Sequence, residues 1–218
     1  MIEYNGRLIP ETFQEIIDPK HTALIVHELL HDFVTEGGVF DQLGIRVDAS
    51  GIVPPIVKLI SAARKKNIKI IYMRFTNYAD YSNYNEPMIQ KRYDTVMDPQ
   101  KVPAVVKGTW GWQNIPEVAP QEGDFIIPKL RVDCFIQTEL DMILKSNGIK
   151  TFIIPGIGSE VGIVPTVAHG MNLGYFCVAP ADCIRPTVAK NHELAKRFIG
   201  RYALLNESSE ILKSWLAE

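Results

Sequence analysis

The chain has 218 residues, of which 46% are hydrophobic and 22% are charged, a composition typical of a folded globular protein with a sizeable core. Its 23 basic and 25 acidic side chains give a net charge of -2, which argues against the basic surface that nucleic acids and anionic membranes attract. The N-terminus lacks a secretory pattern, and no apolar run approaches the roughly 18 residues that span a bilayer. We therefore expect one cytoplasmic domain over residues 1–218 that acts on a small-molecule substrate, with no nucleic acid and no membrane as partner.

The first buried element that the sequence predicts is a strand that ends near Glu28. The run Ala23–Val26 is short, apolar and partly β-branched, which is typical of a strand covered on both faces of a parallel sheet. A helical spacing of apolar residues follows over Ile52–Lys65, and Ile68–Met73 predicts the next strand. Together these segments indicate a β-α-β unit.

The segment Asn77–Gln121 is too irregular for a core element and too aromatic for a disordered linker. We expect it to cover a pocket, with Trp110 among the lining residues, or to form a contact between subunits. Arg92, within the same segment, is a candidate to bind a substrate carboxylate with two guanidinium nitrogens.

The second half of the chain alternates strands and helices. The predicted strands are Asp124–Ile127, Thr151–Ile154, Tyr175–Ala179 and Tyr202–Leu205, and the predicted helices are Phe135–Ser146, Glu160–Asn172, Lys190–Ile199 and Ser208–Leu216. This alternation predicts a Rossmann-like three-layer α/β/α fold around a central, mostly parallel sheet of about six strands. Ligands of such sheets bind at the carboxyl ends of the strands.

The stretch around Glu28 allows two functional interpretations. On a helix, His27 and His31 would share one face and hold zinc, with Glu28 as the general base of a metallopeptidase. At the end of a strand, Glu28 alone would project into a pocket. The apolar run before it favours the strand, and the glycine and third histidine of the extended zinc motif are absent. The zinc peptidase is the less favoured alternative, and we expect no metal and no cofactor.

Three candidate groups follow predicted strands, and the carboxyl ends of parallel strands meet at one edge of a sheet. They are Glu28, Lys129 and the glycine-rich stretch 156–162. Burial favours a neutral carboxyl group and a nearby ammonium favours an ionised one, so the balance decides whether Glu28 acts as an acid or a base. Amides at the start of the helix at Glu160 are candidates to hold an anion.

The three cysteines give neither a disulfide framework nor a metal-binding spacing. Cys134 lies five residues beyond Lys129, but we expect a packing role for it, because a reactive thiol needs an accessible, electropositive setting. Cys177 and Cys183 are expected to be reduced as well.

These motifs resemble the isochorismatase-like, or cysteine hydrolase, family, from about residue 19 to about residue 205. The resemblance is carried by Ala-Leu-Ile-Val-His-Glu-Leu-Leu-His-Asp-Phe at 23–33, by Lys129 with Cys134-Phe135 and Thr138-Glu139-Leu140, and by Gly-Ile-Gly-Ser-Glu-Val-Gly at 156–162. In that family the motifs supply an aspartate, a lysine and a cysteine nucleophile. The resemblance therefore implies Glu28, Lys129 and Gly162 as the corresponding catalytic positions. A glycine cannot form the thioester of the usual family chemistry.

The true isochorismatases look similar in this respect, because they too have glycine at the cysteine position and a histidine before the acid, as His27 is here. Their reaction protonates a vinyl ether carbon, water attacks the resulting oxocarbenium ion, and no covalent intermediate forms. Gly158, Ser159 and Leu30 depart from that subgroup, which has Tyr-Ala and glutamine there. The nicotinamidases' Asp-x-His metal pattern is also absent after Met73.

The resemblance implies a hydrolase that acts on a small polar metabolite, with Glu28 as proton donor beside Lys129 and with a homo-oligomeric assembly. Its substrate-binding candidates are Phe33, Arg92, Trp110, Gly158 and Ser159. A rival interpretation is a non-catalytic relative that keeps the pocket for ligand binding or assembly, with Glu28 and Lys129 as a structural ion pair.

Overall fold

The computed structural model describes residues 1–93 and 103–216, without the side chains of residues 92 and 93. The strands are β1 (Ile2–Tyr4), β2 (Arg7–Ile9), β3 (Thr22–His27), β4 (Lys69–Phe75), β5 (Phe125–Lys129), β6 (Thr151–Ile153), β7 (Gly156–Ile157), β8 (Phe176–Pro180), β9 (Ile184–Arg185) and β10 (Leu204–Asn206). The α-helices are α1 (Phe13–Ile16), α2 (His31–Val34), α3 (Val39–Gln42), α4 (Val53–Lys65), α5 (Glu86–Tyr93), α6 (Leu140–Ser146), α7 (Val164–Asn172), α8 (His192–Ile199) and α9 (Ser208–Leu216). In the described ranges, no helix combines the length and the apolar character that a membrane crossing requires.

The central sheet has the strand order β10-β8-β6-β3-β4-β5, and all of these neighbours pair in parallel. Two short strands extend it, because β7 pairs with β3 and β9 pairs with β7. The six main strands confirm the predicted parallel sheet. The antiparallel hairpin β1-β2 forms a separate small sheet that the sequence analysis did not predict.

Strand β3 lies in the middle of the sheet, and its side chains alternate between two apolar clusters. Leu24 and Val26 face the cluster that includes Ile56 of α4 and Trp215 of α9. Ala23 and Ile25 face the cluster that includes residues of α6, α7 and α8, namely Leu144, Val167 and Ile199. Helices therefore cover both faces of the sheet, which confirms the three-layer α/β/α fold.

Two predicted helices begin later than the sequence pattern indicated. The helix predicted from Phe135 begins at Leu140, because local side-chain hydrogen bonds hold the preceding residues in turns. Asp133 accepts from the Phe135 amide, and Thr138 donates to the Cys134 carbonyl. The helix predicted over 160–172 divides into a π-helical segment, Ser159–Ile163, and α7.

We predict that Trp215→Ala lowers the free energy of unfolding by about 3–5 kcal/mol. The Trp215 side chain is 1% exposed, and its Nε1 donates to the Ile17 carbonyl at 2.9 Å, so truncation removes both packing and a hydrogen bond. Urea unfolding monitored by circular dichroism measures the change. Leu216→Ala, at the half-exposed next residue, is the control and should stay within about 0.5 kcal/mol. Equal losses in the two variants would contradict the packing of α9.

Candidate active site

The backbone at Glu28 turns sharply out of the sheet. Strand β3 ends at His27, and Glu28 has a φ of +56°, in the left-handed region that residues other than glycine rarely adopt. The Glu28 amide still donates to the Met73 carbonyl of β4 at 3.1 Å, and the Leu30 amide donates back to the Glu28 carbonyl at 2.8 Å. Such a conformation costs on the order of 1–3 kcal/mol and is found mainly at functional sites.

The two histidines of the zinc-peptidase alternative belong to different elements. His27 ends a strand and His31 begins α2, so the helix that this alternative requires is not formed. The His31 ring stacks on Trp110 with centroids 4.3 Å apart, whereas His27 points into the core. Across the described residues, no group of three or more histidine, cysteine, aspartate or glutamate side chains is arranged to hold a metal ion.

Glu28 and Lys129 form a buried ion pair. Glu28 Oε1 contacts the Nζ of Lys129, the last residue of β5, whose side chain is 1% exposed. The same ammonium donates to the carbonyls of Val132 at 2.8 Å and Arg131 at 3.4 Å. The contact with Glu28 is an ion pair without hydrogen-bond geometry, because Oε1 has no hydrogen-bond partner among the described groups. The two carbonyls hold the ammonium in place beside the Glu28 carboxylate.

The ion pair lies in the wall of a pocket at the carboxyl edge of the sheet. The cavity measures about 130 Å³, and it brings together Glu28, Lys129, Gly158 and Gly162, as the convergence of strand ends predicted. Most of the remaining lining is apolar, including Phe33, Phe40, Phe75, Val105, Val132 and Val161. The pocket therefore suits a ligand with an apolar body.

Of the predicted substrate-binding residues, Phe33 and Gly158 line this pocket. Ser159 is fully buried away from it, and Trp110, half exposed, stacks on His31 instead, so neither prediction matches the lining. Trp110 opens a 3₁₀ turn whose next residue, Gly111, packs against the Asp32 carboxylate, and this directs the tryptophan outward. The side chain of Arg92 lies outside the described part of the chain.

The sequence analysis missed the lining residues Phe40, Phe75, Val132 and Thr187, whereas Asn77, Ala104 and Val105 belong to the segment 77–121 that was expected to cover a pocket. Phe75 is the last residue of β4, so the strand-end rule that selected Glu28 and Lys129 applies to it equally. Phe40 and Thr187 reach the pocket from α3 and from a loop after β9, and no local pattern marks them. The Glu160 carboxylate holds that loop by accepting from the Thr187 amide at 2.9 Å and from its hydroxyl at 2.6 Å.

The amides expected to bind an anion are already bonded. The amides of Val161, Gly162 and Ile163 donate to the single carbonyl of Gly158 at 3.1, 2.7 and 3.2 Å. These three groups therefore form no anion site, and that expectation is wrong for them. The π-helical winding of this segment directs several amides to one acceptor.

His27 is a neutral buried imidazole behind Glu28. Its Nδ1 lies 2.8 Å from the Ile157 carbonyl, which can only accept, so Nδ1 carries the hydrogen and Nε2 is left as an acceptor. Nε2 lies 3.7 Å from Glu28 Oε1, and no described group donates to it. Burial lowers the pKa of His27 to about 4, so the ring is uncharged near neutral pH.

The chain's three cysteines are free, buried and outside the pocket lining. Burial raises the pKa of Cys134 to about 11 and the pKa of Cys177 to about 12, and it raises the pKa of Cys183 as well. A thiol is a nucleophile only as the thiolate. The packing role expected for Cys134 agrees with this environment.

Solved structures of known hydrolases share this fold. A cysteine hydrolase from Pseudomonas syringae pv. phaseolicola 1448A superposes with a TM-score of 0.78 at 23% identity, covering 92% of this chain and 94% of that one. N-carbamoylsarcosine amidase from Thermoplasma acidophilum gives a TM-score of 0.69 at 24% identity, covering 86% of this chain and 96% of that one. At these identities the likeness shows the fold.

Sequence comparison identifies the family. The isochorismatase domain model matches residues 22–206. The chain is 29% identical over 209 residues to the ureidoacrylate amidohydrolase RutB of Serratia proteamaculans (strain 568), covering 92% of this chain and 80% of the relative. It is 30% identical over 199 residues to RutB of Pseudomonas syringae pv. syringae (strain B728a), covering 86% and 77%. The chain belongs to the isochorismatase domain family of hydrolases.

We predict that Glu28→Gly is more stable than Glu28→Ala by about 1 kcal/mol, because glycine adopts a positive φ without the steric cost that a Cβ adds. Urea unfolding of the two variants measures the difference. Lys58, exposed within α4, is the matched control, where the alanine variant should be the more stable by about 1 kcal/mol. The same order at both positions would refute the strained turn at Glu28.

We also predict that the free energy of unfolding falls as the pH drops from about 6.5 to 4. In that window the unfolded chain protonates His27 and the folded chain does not, so up to about 3 kcal/mol of stability, present above pH 6.5, is lost. Denaturant titrations across this range, in wild type and His27→Asn, isolate the effect. Asparagine does not titrate and can still donate to Ile157, so its pH dependence should be shallower. Identical slopes would contradict a neutral buried His27.

Proposed function

We propose that this chain hydrolyses a small molecule without a covalent enzyme intermediate, using Glu28 as the proton-transfer group and Lys129 to hold it. The observation that supports this most directly is the Glu28–Lys129 pair in a pocket whose described lining contains no thiol. The sole hydroxyl among those lining residues belongs to Thr187, and it donates to Glu160. Water is therefore the nucleophile that this pocket can use.

In this proposal the two oxygens of Glu28 have different tasks. Oε1 is buried and contacts the Lys129 ammonium. Oε2 lies on the side of Gly158, which lines the pocket: a Cβ placed on Gly158 would be 3.4 Å from it. Oε2 is therefore the oxygen that would exchange a proton with substrate or water.

On a vinyl ether, the proposed cycle starts from the protonated form of Glu28, with the proton on Oε2. Oε2 gives this proton to the terminal vinyl carbon, which leaves an oxocarbenium ion. Water forms a bond to the cationic carbon, and the Glu28 carboxylate takes a proton from that water. Glu28 then donates this proton to the ether oxygen and takes the hydroxyl proton of the hemiketal as the C–O bond breaks, which releases a ketone and an alcohol and restores protonated Glu28. With a small amide as substrate, the same carboxylate would instead remove a proton from the attacking water.

The lining supports a small substrate with an apolar body. The Lys129 ammonium is already paired with Glu28 and bonded to two carbonyls, so it is not a free cation for a substrate carboxylate. Asn77 uses one of its two side-chain amide hydrogens on the Ala104 carbonyl at 2.8 Å. Because two similar proteins are named ureidoacrylate amidohydrolases, ureido compounds and small amides belong in the substrate screen beside vinyl ethers.

The competing proposal is a ligand-binding or assembly module without turnover. The burial of Lys129 and its hydrogen bonds to two carbonyls favour it, since a structural ion pair has the same geometry. The strained backbone of Glu28 favours catalysis, because a structural carboxylate needs no left-handed residue.

We predict that Glu28→Gln lowers kcat by about 10²- to 10⁴-fold on any substrate the screen identifies, since glutamine cannot transfer the proton. Cys134→Ser is the matched control, a buried substitution near the same site that should keep turnover within a few-fold. Product formation is measured by mass spectrometry, with and without chelator, and turnover should not depend on chelator.

Turnover that survives Glu28→Gln would refute the proposed role of Glu28. Saturable binding of the screened compounds without any product would favour the binding module. Loss of activity in Cys134→Ser, with folding intact, would indicate a thiol mechanism instead.

A further inference from the structure

Gly162 is a glycine for reasons of space and not of backbone conformation. Its φ lies outside the left-handed region, so any residue type could adopt its backbone. An ideal Cβ at this position would nevertheless lie 2.5 Å from His27 Cε1 and 2.8 Å from His27 Nε2, closer than real Cβ contacts. The next nearest atom, the Val132 carbonyl oxygen, is 3.4 Å away. The His27 ring is thus the main obstacle to a side chain here.

The ring has little freedom to move away. His27 is fully buried, and its Nδ1 is anchored to the Ile157 carbonyl. The turn from Gly158 to Gly162 closes over it, since a Cβ on Gly158 would lie 3.9 Å from the same Cε1 atom. Overfilled buried sites force side chains from their rotamers or shift the backbone.

The other two glycines of this motif have a different origin. Gly156 and Gly158 have φ values of +140° and +73°, where a side chain is strained whatever the space. Among the three glycines of this motif, only Gly162 is kept from having a side chain by the side chain of one neighbouring residue. His27 and Gly162 therefore form a pair in which the size of one residue determines the size of the other.

We infer that His27 restricts this pocket to chemistry without a covalent intermediate, because its ring occupies the space that a nucleophilic side chain at position 162 needs. Gly162 lines the pocket beside Glu28 and Lys129, so a thiol there would adjoin a carboxylate. The inference rests on the proposed function in one respect: it assumes that Glu28, paired with Lys129, reacts with a substrate bound in the pocket.

The chemistry that His27 excludes can be written for an aryl ester. The Glu28 carboxylate takes the thiol proton, the thiolate sulfur bonds to the acyl carbon, and the ester C–O bond breaks to release the phenol. Water then forms a C–O bond to the same carbon, the C–S bond breaks, and the thiol is regenerated. A small residue at position 27 would leave room for this route.

The steric part is tested by a thermodynamic cycle of wild type, Gly162→Cys, His27→Ala and the double variant. Alone, Gly162→Cys should lower Tm by on the order of 2–10 °C through overpacking. In the His27→Ala background it should leave Tm unchanged or raise it, because the new side chain fills vacated space. Equal shifts in both backgrounds would overturn the inference. If the Gly162→Cys protein does not fold, the same cycle with Gly162→Ala decides the question.

The functional part is tested by thiol chemistry that a purely structural role would not change. Native protein is treated with iodoacetamide and, separately, with p-nitrophenyl acetate, and intact mass counts the groups added. The double variant should gain one thioester at position 162, at least tenfold faster than Gly162→Cys alone. Wild type, whose thiols are buried, should gain no thioester. Neutral hydroxylamine removes thioesters and leaves acetylated lysine amines, so the mass lost on its addition counts the thioesters. Val161→Cys, at a neighbouring position 44% exposed on the pocket rim, is the control for reagent access.

Acetylation at equal rates in the single and double variants, with the access control reactive, would overturn the role given to His27. The proposed function fails separately. If wild-type turnover survives Glu28→Gln while the cycle still shows coupling, water activation by Glu28 is wrong and the exclusion by His27 stands. If Glu28→Gln abolishes turnover and the cycle shows no coupling, the role of Glu28 stands and the exclusion by His27 is wrong.

Discussion

The site depends on the burial of one ammonium group. Removing a charge of this kind from water costs several kcal/mol even after relaxation, and Lys129 is 1% exposed. The Glu28 carboxylate and the carbonyls of Val132 and Arg131 offset that cost. Glu28 reaches Lys129 in a left-handed backbone conformation, which adds a further cost. A buried pair of this kind adds little net stability over apolar residues of similar volume.

His27 and Glu28, adjacent at the end of β3, direct their side chains to different parts of the protein. His27 points into the core, where a carbonyl fixes its tautomer, and Glu28 points into the pocket because its backbone leaves the sheet. The ring of His27 then determines what position 162 can hold. The space beside Gly162, where the sequence resemblance places a cysteine side chain, is thus occupied by the ring of His27.

In this member of the isochorismatase domain family, the sheet and the loops make different contributions to the pocket. The parallel sheet determines where a ligand can bind, since its strand ends place Glu28, Lys129 and Gly158 at one edge. The loops and short helices supply most of the apolar lining, because Phe33, Phe40, Val105 and Val132 all lie outside the strands. Substrates of relatives therefore transfer to this chain only as proposals.

The sequence by itself determined the parallel α/β fold and the convergence of Glu28, Lys129 and the glycine motif, because both follow from local patterns: short buried strands, alternating helices and the residues that end each strand. Only the tertiary structure decided the left-handed turn at Glu28, the outward position of Trp110, the bonded amides after Gly158 and the contact of His27 with Gly162. The bonded amides depend on the π-helical winding after Gly158, and each of the other three features depends on atoms from segments distant in the chain. A pattern along the sequence carries no information about the space between such segments.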